Sequence, residues 1–277
     1  MCKNLKPGCG YVMKEFLKCT VQRILREFGL EIQRLHSGKG SGDGSQADFL
    51  RQKPVLHEAL VRLRRHRIQF ATVLDIGASD GHWSVDFAKV FPSKFHLLVD
   101  ANMIHMPKLK LACDENARWK YDLTAGGAKS GTLYFDGSDP LGGHLSEVPY
   151  NENYKPCPVQ SIDELISKHQ LQPPFLIKLD THGVEIPILN GAAKALEKTP
   201  LLIVESYNFT FGEPAVPFWE FCQFMFDRGY RPIDVFDILY REIDLAFWQF
   251  DLVFAKSDLP LFKDWRFFVD KRRNPGE

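Results

Sequence analysis

Four acidic residues stand where short apolar runs give out: Asp75 just before Ile76-Gly77, then Asp100, Asp180 and Glu205. Such runs, interleaved with helical stretches, are the strands of a parallel sheet. In an open α/β sheet, ligands bind beyond the carboxyl ends of the strands. Residues far apart in the chain would therefore gather along one rim. The bland alternative for each acid is a helix cap or a surface charge, since aspartate is favoured at such termini anyway. Four in a series, two of them flanking glycines, favour a ligand site.

The segment Val73-Leu-Asp-Ile-Gly-Ala-Ser-Asp-Gly81 says most about that ligand. Gly77 and Gly81 let the backbone turn sharply and approach a bound molecule closely, with Ala78 and Ser79 between them. Asp75 could pair with a cationic group such as an amino acid's ammonium. A dinucleotide site would want G-x-G-x-x-G, so that a helix N-terminus meets a pyrophosphate. Here Asp80 would repel phosphate but tolerate a neutral or cationic ligand. That moves the cofactor from a nicotinamide dinucleotide towards S-adenosylmethionine. Asp100, followed by Ala101, suits a bidentate grip on the ribose hydroxyls.

These residues need a scaffold, and the pattern supplies one. Phe49–Arg67 reads as a helix with Leu56, Leu60 and Leu63 on one stripe, its arginine cluster forming a solvated face. Ala71–Ile76 is a strand, His82–Val90 a helix and Phe95–Val99 a second strand. Asp163–His169 is a helix with Ser161 as its N-cap. Phe175–Leu179 and Leu201–Val204 are strands separated by a helix over Glu185–Leu196, and Pro217–Arg228 is a Phe-rich helix. Arg231–Phe236 and Gln249–Lys256 form a hairpin that closes one edge. Strands apolar on both faces, alternating with helices, predict a doubly covered, mostly parallel sheet. Ahead of this domain, placed at 48–277, residues 1–47 read as an extension: a basic amphipathic helix over Tyr11–Leu35 and a flexible Gly/Ser linker over His36–Ser45.

Phe175-Leu-Ile-Lys-Leu-Asp-Thr-His-Gly-Val-Glu-Ile-Pro-Ile-Leu-Asn-Gly-Ala192 resembles the signature of the FkbM-type methyltransferases, roughly I-K-x-D-x-x-G-x-E, an apolar pair and G-A. Lys178, Asp180, Gly183, Glu185, Gly191 and Ala192 match it. Pro158–Asp163 and Phe247–Phe254 resemble the family's flanking segments, so the likeness runs in order from Phe70 to Lys256. His182 stands where the family more often has Gln or Glu, and Asp122 where a small residue is usual. The resemblance implies a Rossmann-like class I methyltransferase fold, a seven-stranded sheet with an antiparallel edge strand. It also implies S-adenosylmethionine as donor, Asp122 near the adenine, and methylation of an oxygen on a sugar, glycan or small metabolite.

For such a reaction the protein must chiefly align acceptor oxygen, methyl and sulfur. A hydroxyl must also lose its proton, and His182, beside Asp180, is the first candidate base, because imidazole titrates near neutrality. The bland reading is a loop histidine bonded to backbone. Alternatively, Asp180, Glu205 and Asn208 could hold Mg²⁺, or could simply cap their elements. Lys178, inside an apolar strand, needs a buried acid, with Glu205 as the expected partner. Rival functions are N-methylation or nucleic-acid methylation on the same fold, disfavoured by Asp180-Thr-His-Gly in place of an Asn/Asp-Pro-Pro-aromatic motif, and a non-catalytic S-adenosylmethionine-binding module.

Composition narrows the classes further. Lys+Arg and Asp+Glu both number 35, which argues against a generally basic nucleic-acid binder. No apolar run reaches the ~20 residues that span a bilayer, so stable membrane insertion is not expected. The N-terminal segment, broken by Lys14, Glu15, Lys18 and Arg23, does not resemble a secretion signal. The six cysteines lack metal-ligand spacing and read as reduced thiols rather than a site built on Cys2, Cys9 and Cys19. A cytoplasmic enzyme with a small-molecule or glycan acceptor follows, its assembly either monomeric or homo-oligomeric.

Overall fold

The computed structural model describes residues 55–266, apart from Leu141, Phe211, Glu213 and Trp265. The helix expected over Tyr11–Leu35, the linker, the boundary at 47/48, the start of the Phe49 helix and Cys2, Cys9 and Cys19 lie outside them.

In chain order the first half comprises α1 (Leu56–Arg65), β1 (Thr72–Ile76), α2 (His82–Val90), β2 (Phe95–Asp100), α3 (Met106–Glu115) and β3 (Trp119–Leu123). Four short strands follow: β4 (Ala125–Gly126), β5 (Gly131–Asp136), β6 (His144–Ser146) and β7 (Tyr154–Gln160). The second half runs α4 (Ile162–His169), β8 (Phe175–Leu179), α5 (Glu185–Asn190), α6 (Ala193–Glu197), β9 (Leu201–Tyr207), α7 (Phe218–Phe226), β10 (Tyr230–Tyr240) and β11 (Phe247–Lys256).

Seven strands form the main sheet in the order β10-β11-β9-β8-β1-β2-β3. The pairs β1–β2, β1–β8, β2–β3 and β8–β9 are parallel, while β11 runs antiparallel to both β9 and β10. This is the mostly parallel Rossmann-like sheet expected, with its antiparallel element in the hairpin. The antiparallel strand itself sits one place in from the edge. Burial explains the order: β11 is buried along most of its length and needs neighbours on both sides, whereas β10 leaves much of its length partly exposed.

Alternation along the strands divides the core. Leu74, Leu97, Ile177 and Leu202 face α4, α5, α6 and α7 through Leu165, Ile188, Ala195 and Phe221. Val73, Leu176, Leu201 and Ile203 face α1 and α2 through Leu60, Leu63, Trp83 and Phe87. Leu98 packs on α3 through Leu109 and Ala112. Arg62, read as part of a solvated face, instead forks onto Asp234 of β10 at 2.7 and 2.9 Å, tying α1 to the sheet edge.

The stretch between β3 and α4, which shows no regular period in the sequence, folds as a second sheet ordered β4-β7-β5-β6. Ala125, Cys157 and Val159 form its small core, with Ala101, Leu133, Phe135 and Leu145 packed against them. The single helix expected over Glu185–Leu196 is two, broken at Gly191. A side chain there would stand 2.3 Å from the Gly127 carbonyl, so the break lets backbone meet backbone. Asp163 then accepts the N–H groups of Lys194 (3.0 Å) and Ala195 (2.8 Å), opening the second piece. Cys113, Cys157 and Cys222 are free thiols. Among the described residues no helix is long and apolar enough to cross a membrane.

Candidate active site

Strand register assembles the site. Asp75 lies opposite Leu98 on β2 and Lys178 on β8, and Lys178 lies opposite Ile203 on β9. Side chains two residues apart share a face. The next row on that face, at the carboxyl end of the sheet, is therefore Gly77, Asp100, Asp180 and Glu205. β11 extends the row, because Asp251 is the register partner of Glu205. The acids marked out by the sequence are thus brought to one rim, on the side covered by α1, α2 and α3.

On the first half of the rim the glycine loop lies tight against its neighbours. Gly77 (φ +78°) and Gly81 (φ +84°) occupy the left-handed region, and so does Ser79 (φ +49°). A Cβ on Gly77 would lie 2.0 Å from the Asp180 carbonyl oxygen, so only glycine allows the two strand ends to meet. The Ser79 and Asn102 N–H groups each donate to one oxygen of Asp100, both at 2.7 Å. Burial pushes the Asp100 carboxyl up from its usual range, against these two N–H donors. Each oxygen keeps a lone pair for a further donor. Ala78 turns inward against Leu98 and Leu109, and Ala101 packs on the small sheet, so neither offers more than backbone to the rim.

Three expectations need correcting here. Asp75 is 0% exposed; its Oδ2 accepts from Ser84 Oγ (2.7 Å), and its Oδ1 lies 3.2 Å from Lys178 Nζ. It braces the loop from beneath instead of presenting an oxygen at the surface. Asp80 is not a bare charge: His82 (2.6 Å) and Lys108 (2.8 Å) pair with it, and the His82 bond holds its carboxyl well below the usual range. Asp122 is committed to Lys168 (2.6 Å) and His169 (2.7 Å) of α4, joining β3 to that helix. It belongs with Val99, its register partner, on the face opposite the Asp100 row.

Lys178 is 3% exposed and bonds the Gly77 carbonyl at 3.0 Å, with Asp75 at 3.2 Å and Asp180 at 3.4 Å. The expected ion pair exists, but with these two acids where Glu205 was anticipated. Glu205 is claimed from the other side: Tyr207 and Gln249 donate to its two oxygens, and His182 Nδ1 stands 3.3 Å from Oε2. The same Nδ1 lies 2.9 Å from the Tyr207 hydroxyl. Glu185 accepts from Thr181 Oγ1 (3.1 Å) and the Gly183 N–H (3.0 Å), fixing the turn that carries His182.

Burial disfavours charge on His182, but Glu205, then Asp180 and Glu185, outweigh it and hold the imidazole up at about 9. These carboxylates, rather than backbone, are what the His182 ring meets. Asn208 turns away; its amide donates to the Phe247 carbonyl at 3.1 Å, so it zips β9 to β11. Tyr207 and Gln249 escaped the sequence reading. Tyr207 carried a signal, lying two residues beyond Glu205 on a strand, whereas Gln249 is reached only through the antiparallel register of β11. His144, in β6, meets the Tyr154 hydroxyl at 2.8 Å.

Comparison with known proteins gives a family. The model of the methyltransferase FkbM domain matches residues 75–232, from the glycine loop to the start of β10. Solved structures with a similar chain include a methyltransferase FkbM from Methylobacillus flagellatus, at 17% identity and a TM-score of 0.49, over 75% of this chain and 50% of that one. A putative RNA methyltransferase from Pyrococcus horikoshii aligns at 13% identity and 0.42, over 79% and 93%. TrmK of M. capricolum, solved with S-adenosyl-homocysteine, aligns at 10% and 0.42, over 67% and 62%. The chain spans half the length of the Methylobacillus protein. No curated protein matches it.

Proposed function

The chain belongs to the FkbM methyltransferase family, and on that premise we propose that it is an S-adenosylmethionine-dependent methyltransferase that methylates a hydroxyl oxygen of a sugar, glycan or small metabolite. The observation that supports this reading is the single row Gly77, Asp100, Asp180 and Glu205, in which the glycine loop and Asp100 stand beside Asp180 and Glu205 at the strand ends.

The residues present fit the donor. Asp100 keeps acceptor capacity on both oxygens for ribose hydroxyls, and the backbone from Gly77 to Ser79 lies against it. The surplus of carboxylates along the rim suits a ligand bearing a sulfonium and an ammonium. When bound, S-adenosylmethionine supplies a methyl group already activated on sulfur, displaced in line by the acceptor oxygen to leave S-adenosylhomocysteine. The chain's own contribution is alignment and the handling of one proton. Asp180, His182 and Glu205 would hold the acceptor's hydroxyl, on the side of the rim where the Asp180 carbonyl stands against Gly77. Tyr207 and Gln249 keep Glu205 from swinging away.

The test pairs calorimetric titration with S-adenosylhomocysteine and transfer of labelled methyl to panels of hydroxyl acceptors, amines and RNA. Binding that weakens at least tenfold in Asp100→Ala, with label entering hydroxyl acceptors alone, is expected. Label entering only amines or RNA overturns the oxygen reading, and absence of binding overturns the cofactor half.

A further inference from the structure

Among the described residues, Asp180, His182 and Glu205 form one group whose ligating atoms all lie within 4.8 Å of one another. We propose that these three side chains bind one divalent ion of the first transition row, of the Mn²⁺ or Zn²⁺ type, in preference to Mg²⁺. The proposal rests on the reading of this half of the rim as the acceptor side and gives that half its chemistry.

Geometry supports it first. With metal–ligand bonds of ~2.1 Å, neighbouring ligand atoms on one octahedral ion stand ~3 Å apart and opposite ones ~4 Å. The 3.3 Å between His182 Nδ1 and Glu205 Oε2 suits two neighbouring positions. Asp180 and Glu205 are held in adjacent strands by register, and His182 is folded back towards them by its own left-handed backbone (φ +56°) and that of Gly183 (φ +100°).

Surroundings support it second. Ligating carboxylates are characteristically oriented by outer hydrogen-bond donors, and Glu205 has two, Tyr207 and Gln249, while remaining 2% exposed. His182 is 26% and Asp180 16% exposed, so the group opens to solvent on one side, leaving positions for water and for an acceptor oxygen. Buried carboxylates cost free energy unless matched by positive charge. Asp75, Glu205, Asp251 and Glu185 are all buried close to this rim, and Lys178 already serves Asp75 and Asp180.

The donor set selects the metal. An imidazole beside two carboxylates favours first-row ions that bind nitrogen as well as oxygen, Zn²⁺ as a borderline ion and Mn²⁺ as a harder one, whereas Mg²⁺ favours oxygen alone and gives up its water reluctantly. Such an ion would supply Lewis acidity, lowering the pKa of a hydroxyl placed beside it.

The experiment uses metal-stripped protein without donor or acceptor. It is titrated calorimetrically with Mn²⁺, Zn²⁺ and Mg²⁺, with Mn²⁺ also followed by electron paramagnetic resonance. The expected result is one saturable Mn²⁺ site at least tenfold tighter than Mg²⁺. That site should be lost in His182→Ala and weakened at least tenfold in the isosteric Asp180→Asn, both still unfolding in a single cooperative transition. No saturable Mn²⁺ or Zn²⁺ binding, equal affinity for Mg²⁺, or binding untouched by both substitutions overturns the proposal. Methyl transfer to hydroxyl acceptors that survives chelation would leave the O-methyltransferase reading standing while removing the metal from it.

Discussion

Two residues, Lys178 and Gly77, decide whether the rim exists at all. Lys178 holds the ends of β1 and β8 together through Asp75, Asp180 and the Gly77 carbonyl. Removing one partner from a buried pair leaves the other charge uncompensated, at a cost of about 3–5 kcal/mol. Lys178→Met is therefore expected to lose stability on that order by urea unfolding, and donor binding with it; unchanged stability would show that the pair holds nothing. Gly77→Ala is the complementary case. Its Cβ would collide with the Asp180 carbonyl, and its φ is one that alanine adopts at a cost of about 1–2 kcal/mol. Loss of S-adenosylhomocysteine binding of tenfold or more, with a lower unfolding midpoint, is expected from calorimetry and urea titration. At this scale the sequence told which residue types gather, because strand-end acids and loop glycines are local signals. It did not tell which acid meets which base. Lys178 meets Asp75 and Asp180 while Tyr207 and Gln249 hold Glu205, and only strand register decides among them.

Single elements carry their own tests. Ser161 accepts the Glu164 N–H at 3.3 Å as the N-cap of α4, as its sequence predicts, and Ser161→Ala should cost about 1 kcal/mol. On β2, His96 is fully buried, bonded through Nδ1 to Ser84 (2.9 Å) and stacked on Trp119, and burial presses its pKa down to about 3. In the unfolded chain it titrates at about 6.5. The native state thus gains from the neutral form, a gain complete above about pH 6.5. It is lost progressively as pH falls from there towards 3, because only the unfolded chain takes up the proton. By pH 5 the loss is about 2 kcal/mol. His96→Phe should flatten this part of a stability–pH curve measured by urea unfolding; an unchanged slope would assign the dependence to other groups. Long strands and helices were legible because their apolar positions repeat. The small sheet was not: its strands are as short as two or three residues, and β7 carries Pro156 and Pro158 among exposed positions. The break at Gly191 was hidden too, since its cause is a carbonyl from a loop more than sixty residues away in the chain.

Across the whole molecule, the rim draws on β1 and β2 on one side and β8, β9 and β11 on the other, so a ligand spanning it would bridge the two halves of the sheet. A ligand that binds only the folded form stabilises it by about 2.7 kcal/mol at a hundred times its Kd. For a domain of this size that is a rise in melting temperature of roughly 5–10 °C, to be read by calorimetric scanning with S-adenosylhomocysteine; no rise would mean the rim is not its site. The placing of β11 has a consequence for how the chain comes off the ribosome. β10 is synthesised first, yet its neighbour in the sheet is β11 and not β9. Until β11 emerges, β9, buried along its whole length in the finished protein, has one open edge, and β10 has no strand to pair with. An unpaired apolar edge is a template for aggregation. A nascent chain halted after Tyr240 should therefore be captured by chaperones or precipitate, whereas one that has cleared Lys256 can seat both strands in a single act.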